Sequence, residues 1–115
     1  MVNLNKEKEF LEKYIFLDLK DLNDGFDSPL IKYFSREDFE IVLDRAELYG
    51  INIFGIEPWP DKKYFCVRGH EDYKTSADNP EWYRKAYADF IEEGVTSYFS
   101  ATYGVPENLL KNFLI

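Results

Sequence analysis

The fold is decided by residues 35 to 56, which read SREDFEIVLDRAELYGINIFGI. Ser35 is a favourable N-cap with Asp38 three residues later, and Gly50 is suited to end a helix. Between these two signals, apolar residues recur at helical spacing along one arc: Phe39, Val42, Leu43, Ala46 and Tyr49. The stretch therefore predicts a helix over residues 36–49 that leads directly into a β-strand.

A hairpin is predicted after this helix. Residues 51–56 and 63–67 are rich in β-branched and aromatic side chains. Pro58 and Pro60 lie between them and exclude a helix there. We therefore expect an antiparallel hairpin over about residues 51–67.

A second helix is predicted over residues 80–93. Asn79 is its cap, Pro80 suits its first turn, and Gly94 ends it. A short C-terminal helix is expected within residues 106–113.

These elements predict an α+β fold in which helices pack on a small antiparallel sheet. A length of 115 residues suits a single domain, residues 1–115, with its own core. Two strands alone are marginally stable, so we expect a third strand from the two regions without a decisive pattern, residues 1–34 and 95–105.

The net charge is −8, and the acidic residues are spread along the chain rather than gathered in a tail. A folded body with a negative field repels phosphate and attracts cations. The charge therefore predicts a basic protein partner and no binding to nucleic acid, although charge of this size also simply keeps proteins in solution.

The sequence indicates a cytoplasmic protein without a membrane segment. Its N-terminus lacks the apolar run of a signal peptide, and no stretch approaches about 18 apolar residues. Cys66 is the single cysteine, so no intramolecular disulfide is expected.

A row of acids along the first helix is the first candidate binding surface. These acids recur at spacings that place them on one stripe: Glu37, Glu40, Asp44 and Glu47. No lysine or arginine follows any of them at i+4, and Ile41 and Leu48 flank the stripe away from the main apolar arc. An acidic row edged by apolar residues suits a basic partner with an apolar centre. The alternative is an ordinary solvated face.

The hairpin loop and the segment after it form the second candidate surface. Tryptophan and tyrosine are favoured interface anchors, and a proline-fixed loop loses little entropy on binding. The residues predicted to contact a partner here are Glu57, Trp59, Asp61, Glu71, Asp72 and Tyr73. The alternative is that Trp59 folds back onto the core.

The sequence predicts no catalytic, metal or cofactor site. His70 is the single histidine, and a loop histidine beside solvated acids is its simplest interpretation. Cys66 lies in an apolar stretch, where a thiol is usually inert. The aspartates between Asp18 and Asp27 begin like a calcium loop, but the glycine and the final glutamate position fall out of register.

The stretch from Tyr33 to Phe113 resembles the immunity proteins of bacterial toxin systems, such as contact-dependent growth inhibition systems and nuclease colicins. The resemblance rests on the capped acidic helix and on four short segments: Tyr49-Gly50-Ile51, Phe54-Gly55-Ile56-Glu57, Asn79-Pro80-Glu81-Trp82-Tyr83 and Tyr103-Gly104-Val105-Pro106. Immunity proteins of this kind block a toxin, often a basic nuclease, by covering its active site or a nearby surface. The resemblance implies a toxin inhibitor without catalytic residues.

Two other functions stay open at this point. One is a regulatory or adaptor module that binds a protein unrelated to toxins. The other is a small hydrolase that uses His70 with Glu71 or Asp72. The sequence does not indicate an oligomeric state.

Overall fold

Three antiparallel strands lie at the centre of the fold. The structure, a computed structural model, describes residues 4 to 113. Its elements are α1 (Leu4–Phe10), a π-helical turn (Leu11–Ile15), α2 (Arg36–Tyr49), β1 (Asn52–Pro58), β2 (Arg68–Gly69), α3 (Pro80–Glu92), β3 (Phe99–Gly104) and α4 (Glu107–Lys111), with two short 3-10 turns at Pro60–Lys62 and His70–Tyr73. This arrangement confirms the predicted α+β fold with a small antiparallel sheet and a short C-terminal helix.

The sheet has the strand order β2-β1-β3, and both neighbours run antiparallel to β1. Ile56 of β1 faces Arg68 on one side and Ala101 on the other. The register shifts between Ile53 and Gly55, so Phe54 has no partner in β3. The expected third strand therefore comes from the undecided region 95–105.

The hairpin has a shorter second strand than predicted. Residues 63–67 form no strand, and the pairing with β1 begins only at Arg68. Asp61 and Lys62 both adopt left-handed backbone angles, with φ of 55° and 64°, which turns the chain irregularly before the predicted segment. Pro58 also has no N–H with which to continue a ladder. The antiparallel hairpin is confirmed, but its second strand lies one residue beyond the predicted stretch.

The two long helices agree with their local signals. In α2, the Ser35 hydroxyl accepts from the Asp38 N–H at 3.2 Å, and Gly50 is left-handed with φ of 72°. In α3, the Asn79 side chain accepts from the Glu81 N–H at 3.0 Å. No helix within residues 4–113 has the length and apolar character needed to cross a membrane.

The core lies between the sheet and the two long helices. Phe39 of α2 stacks on Phe99 of β3 with ring centroids 5.2 Å apart, and both rings are fully buried. The other fully buried rings come from α3 and from the segment before α2: Tyr33, Phe34, Trp82, Tyr83 and Phe90. Because α2 packs its apolar arc inward, its opposite face points to solvent.

Candidate functional site

The solvent face of α2 carries all six residues of the first candidate surface. Leu48 is 76% exposed, whereas Ile41 is 37% exposed and so is partly covered by its neighbours. The acids on the same face are also exposed: Glu37, Glu40, Asp44 and Glu47. The fold therefore brings the predicted acidic and apolar residues together on one accessible surface.

One flank of this face is bound by α3. Arg84 donates to the Asp44 carboxylate at 2.8 Å and to the Glu47 carboxylate at 3.1 Å. Tyr87 donates its hydroxyl to Glu40 at 2.5 Å, and its burial and this hydrogen bond raise its pKa. Three of the four acids therefore have partners on α3, although none of those partners follows at i+4 within α2.

The opposite flank of α2 is bound by the segment after the π-helical turn. Arg45 donates to the backbone carbonyls of Ile15 and Leu17 at 3.0 and 2.8 Å. Asp38 accepts from the backbone N–H of Lys20 at 3.3 Å. These bonds hold the segment along one side of the helix, so the stripe between the two flanks is the part of α2 that neither neighbour lies over.

The outermost stripe consists of Glu37, Ile41, Asp44 and Leu48, which we call the α2 outer stripe. Their spacings of four, three and four residues place them along one line of the helix. Ile41 and Leu48 are seven residues apart, or about 10 Å along the axis. The stripe alternates one carboxylate with one apolar side chain, and Glu37 has no ion pair among the described residues.

The second candidate surface is divided between two places. Trp59 donates its indole N–H to Glu57 at 2.8 Å and packs with Phe26, Tyr33 and Tyr64. Its ring therefore lies on Phe26 of the loop before α2 and on the buried Tyr33, in agreement with the alternative that Trp59 folds back onto the core. Asp61 beside it is exposed.

The other half of that surface lies near the opposite end of β1. Tyr73 packs on Trp82 and donates to Asp89 at 3.0 Å, and its burial and that bond raise its pKa to about 12. Glu71 and Asp72 are exposed, and Asp72 accepts from the Gly69 N–H at 2.8 Å. No hydrogen bond, ion pair or ring contact among the described residues joins this cluster to Trp59, so the structure divides the second set of residues between two places.

The His70 side chain stabilises the loop in which it lies. Its Nδ1 lies 2.7 Å from the Thr75 carbonyl oxygen, and its ring packs between Phe54 and Trp82. Its Nε2 lies 4.0 Å from Glu71, which is too far for a hydrogen bond. Burial raises the pKa of the Cys66 thiol, which disfavours the reactive thiolate.

The aspartates that resembled a calcium loop make turn hydrogen bonds instead. Asp21 accepts from the N–H groups of Asn23 and Tyr33 at 2.9 and 3.0 Å. Asp27 accepts the Tyr33 hydroxyl at 2.5 Å. Within residues 4–113 no group of three or more histidine, cysteine, aspartate or glutamate side chains is placed to hold a metal ion.

A cleft of about 570 Å³ opens between α1, α4 and the adjoining ends of β1 and β3. Phe54 and Leu110 supply its apolar walls, and Asn52 supplies an amide. Its charged lining is balanced, with two lysines and two glutamates: Lys6, Glu7, Glu107 and Lys111. Balanced charge gives the cleft no preference for an anion or a cation.

Two features were not predicted from the sequence: the partners of the acids on α2, and the exposure of the apolar side chains in residues 63–67. Arg84 and Tyr87 lie about 40 residues from the acids they contact, and only the docking of α3 on α2 reveals the pairing. The apolar side chains of residues 63–67 were read as a strand, but they are left largely exposed.

Comparison with protein-family models, with curated proteins and with solved structures found no match to this chain.

Proposed function

We propose that the chain is an immunity-type protein that binds and neutralises a basic toxin domain, most readily a nuclease, through the α2 outer stripe. The observation that carries the proposal is the alternation of two exposed carboxylates with exposed Ile41 and Leu48 on one helix face. Glu37 has no ion pair among the described residues, and Asp44 pairs with Arg84 while its side chain stays exposed. An exposed leucine on a helix is ordinary when it stands alone. Two exposed apolar residues in register with two acids form a surface suited to a cationic partner with an apolar centre.

The whole-molecule charge supports the same kind of partner. A net charge of −8 accelerates the approach of a cationic domain and repels nucleic acid, the substrate of a nuclease. The basic groups with which a nuclease holds phosphate can also pair with carboxylates. An acidic helix face can therefore compete with nucleic acid for those groups.

The experiment begins with a pull-down from the native host to recover a stoichiometric basic partner. Association with that partner is then compared for the unaltered chain and for the double variant Glu37→Lys/Asp44→Lys. We expect the reversal to lower the association rate constant about tenfold or more at low salt, with a smaller effect as salt rises. Stopped-flow fluorescence at several salt concentrations measures this.

The matched control is Glu9→Lys/Glu92→Lys, which changes the net charge by the same amount at exposed positions on α1 and α3. Circular dichroism checks that both variants fold. If the control slows association as much as the α2 variant does, the contact is not the α2 outer stripe. If no basic partner is recovered, the toxin-inhibitor function itself is wrong.

A further inference from the structure

A glycine at the end of β3 leaves room for two side chains of β1 in the cleft between α1 and α4. Gly104 pairs with Asn52 in the ladder, and the side chains of Asn52 and Phe54 both lie against it. A Cβ on Gly104 would lie 3.5 Å from the Cβ of Asn52 and 2.6 Å from the Phe54 ring. The absence of a side chain at Gly104 therefore lets an aromatic ring and an amide line the cleft side by side.

The Phe54 ring is offered to the cleft rather than to the core. The shift of register between Ile53 and Gly55 leaves Phe54 without a partner in β3. Irregularities of this kind turn a side chain in a new direction and are frequent beside binding sites. The ring is 43% exposed, whereas Ile53 and Ile56 of the same strand are fully buried. Much of its surface is therefore open for a second flat ring to stack on it.

The amide of Asn52 is unused in the same cleft. Its side chain makes no hydrogen bond among the described residues, although the residue is half-buried. An amide carries a donor and an acceptor side by side. It is therefore complementary to a ligand edge that presents an acceptor beside a donor, as the Hoogsteen edge of adenine does.

The charges of the cleft favour an uncharged ligand. Its two lysines and two glutamates balance each other, and the chain as a whole carries a net charge of −8. The Glu7 carboxylate is already engaged, because it accepts from the Val105 N–H at 2.9 Å and so joins α1 to the end of β3. The overall negative charge repels phosphate, which favours an unphosphorylated base or nucleoside over a nucleotide.

We propose that this cleft binds adenine or adenosine, with the base stacked on Phe54 and its Hoogsteen edge paired with the Asn52 amide. The cleft volume of about 570 Å³ lies within the range of small-molecule sites, which is about 300–1,000 Å³. Leu110 of α4 adds apolar surface for the base. No residue of the α2 outer stripe lines the cleft, so this site does not depend on the partner proposed for α2.

The test is a titration of the isotope-labelled chain with adenosine, followed by NMR at the Asn52 side-chain amide and the Gly104 backbone amide. We expect saturable shifts at both, with a dissociation constant on the order of 0.1 mM. Asn52→Ala removes the paired amide and Phe54→Leu removes the stacking ring. Each should raise the dissociation constant about tenfold. Asn52 is half-buried and Phe54 is exposed, so both variants should fold.

Phe65→Leu is the matched control, because Phe65 is 41% exposed and does not line the cleft. It should leave the dissociation constant unchanged. Adenosine monophosphate carries the same base with a phosphate and should bind no more tightly than adenosine. The proposal is overturned by an absence of saturable shifts at millimolar adenosine, or by an equal loss of affinity in Phe65→Leu and Phe54→Leu. Tighter binding of the monophosphate than of adenosine also overturns it, since the phosphate would then be the recognised group.

Discussion

At the residue scale, two glycines of the sheet differ in what a side chain would meet. A Cβ on Gly69 would lie 2.9 Å from the backbone carbonyl oxygen of Phe54. A Cβ on Gly104 would lie 2.6 Å from the far edge of the Phe54 ring. The carbonyl belongs to a paired strand and cannot move, whereas the ring is 43% exposed and can rotate.

We expect Gly69→Ala to lower the free energy of unfolding by about 1–3 kcal/mol, since the backbone of β1 must shift to relieve the overlap. Gly104→Ala should cost less, because rotation of the Phe54 ring removes its overlap. Urea unfolding of the two variants measures both effects. Equal losses would mean that the Phe54 ring is held as firmly as the strand.

Individual contacts were the part of the surface that the sequence predicted least well. The exposure of Ile41 and Leu48 follows from their position on α2, because both lie outside its apolar arc. The bonds from Arg84 to Asp44 and Glu47 do not follow from any spacing. They depend on how α3 lies against α2, which local patterns do not encode.

At the scale of elements, local signals account for the long helices and fail at the hairpin. Helix α2 has the bounds that its cap and its glycine predicted, and α3 ends one residue before the predicted end. The second strand was misplaced because Asp61 and Lys62 both adopt left-handed backbone angles. Aspartate enters that region more readily than most residues, but nothing in the sequence indicates it for Lys62. A third strand was expected from residues 1–34 or 95–105, but only its pairing with β1 identifies residues 99–104 as that strand.

The cap of α2 offers a test of these local signals. Ser35→Ala removes the acceptor for the Asp38 N–H and should lower the free energy of unfolding by about 1 kcal/mol. Ser35→Gly should cost only about a few tenths of a kcal/mol, since glycine leaves that N–H open to water. Thermal or urea unfolding distinguishes the two, and equal losses would show that the cap contributes nothing specific.

At the scale of the whole molecule, buried tyrosines make the fold sensitive to alkali. Burial raises the pKa of five of the nine tyrosines, and two of them, Tyr73 and Tyr83, reach about 12. A charge from Asp89 adds to the shift at Tyr73, and one from Glu47 adds to it at Tyr83. The other three shift in the same direction: Tyr33, Tyr87 and Tyr103.

We expect the contribution of these tyrosines to the free energy of unfolding to be fully present below pH 10. It should be lost progressively as the pH rises from 10 toward 12. The unfolded chain releases tyrosine protons near the ordinary pKa of 10.0, whereas the folded chain retains them to about 12 at Tyr73 and Tyr83. Thermal unfolding between pH 8 and 12, with tyrosinate absorbance recorded in parallel, measures this. Tyr83→Phe should weaken the alkaline loss, and Tyr64→Phe at an exposed position should not.

The ion pairs of Arg84 with Asp44 and Glu47 affect how α2 would bind a basic partner. Two carboxylates that already pair with Arg84 are partly ordered, so they lose less conformational entropy when a partner binds. The same ion pair weakens the binding of isolated cations, because an incoming guanidinium or ammonium must compete with Arg84 for Asp44. A mobile cation therefore gains little binding free energy at Asp44. A cation that the partner holds beside Asp44, while its apolar groups contact Ile41 and Leu48, gains more. Preorganisation of this kind discriminates among basic proteins of equal charge.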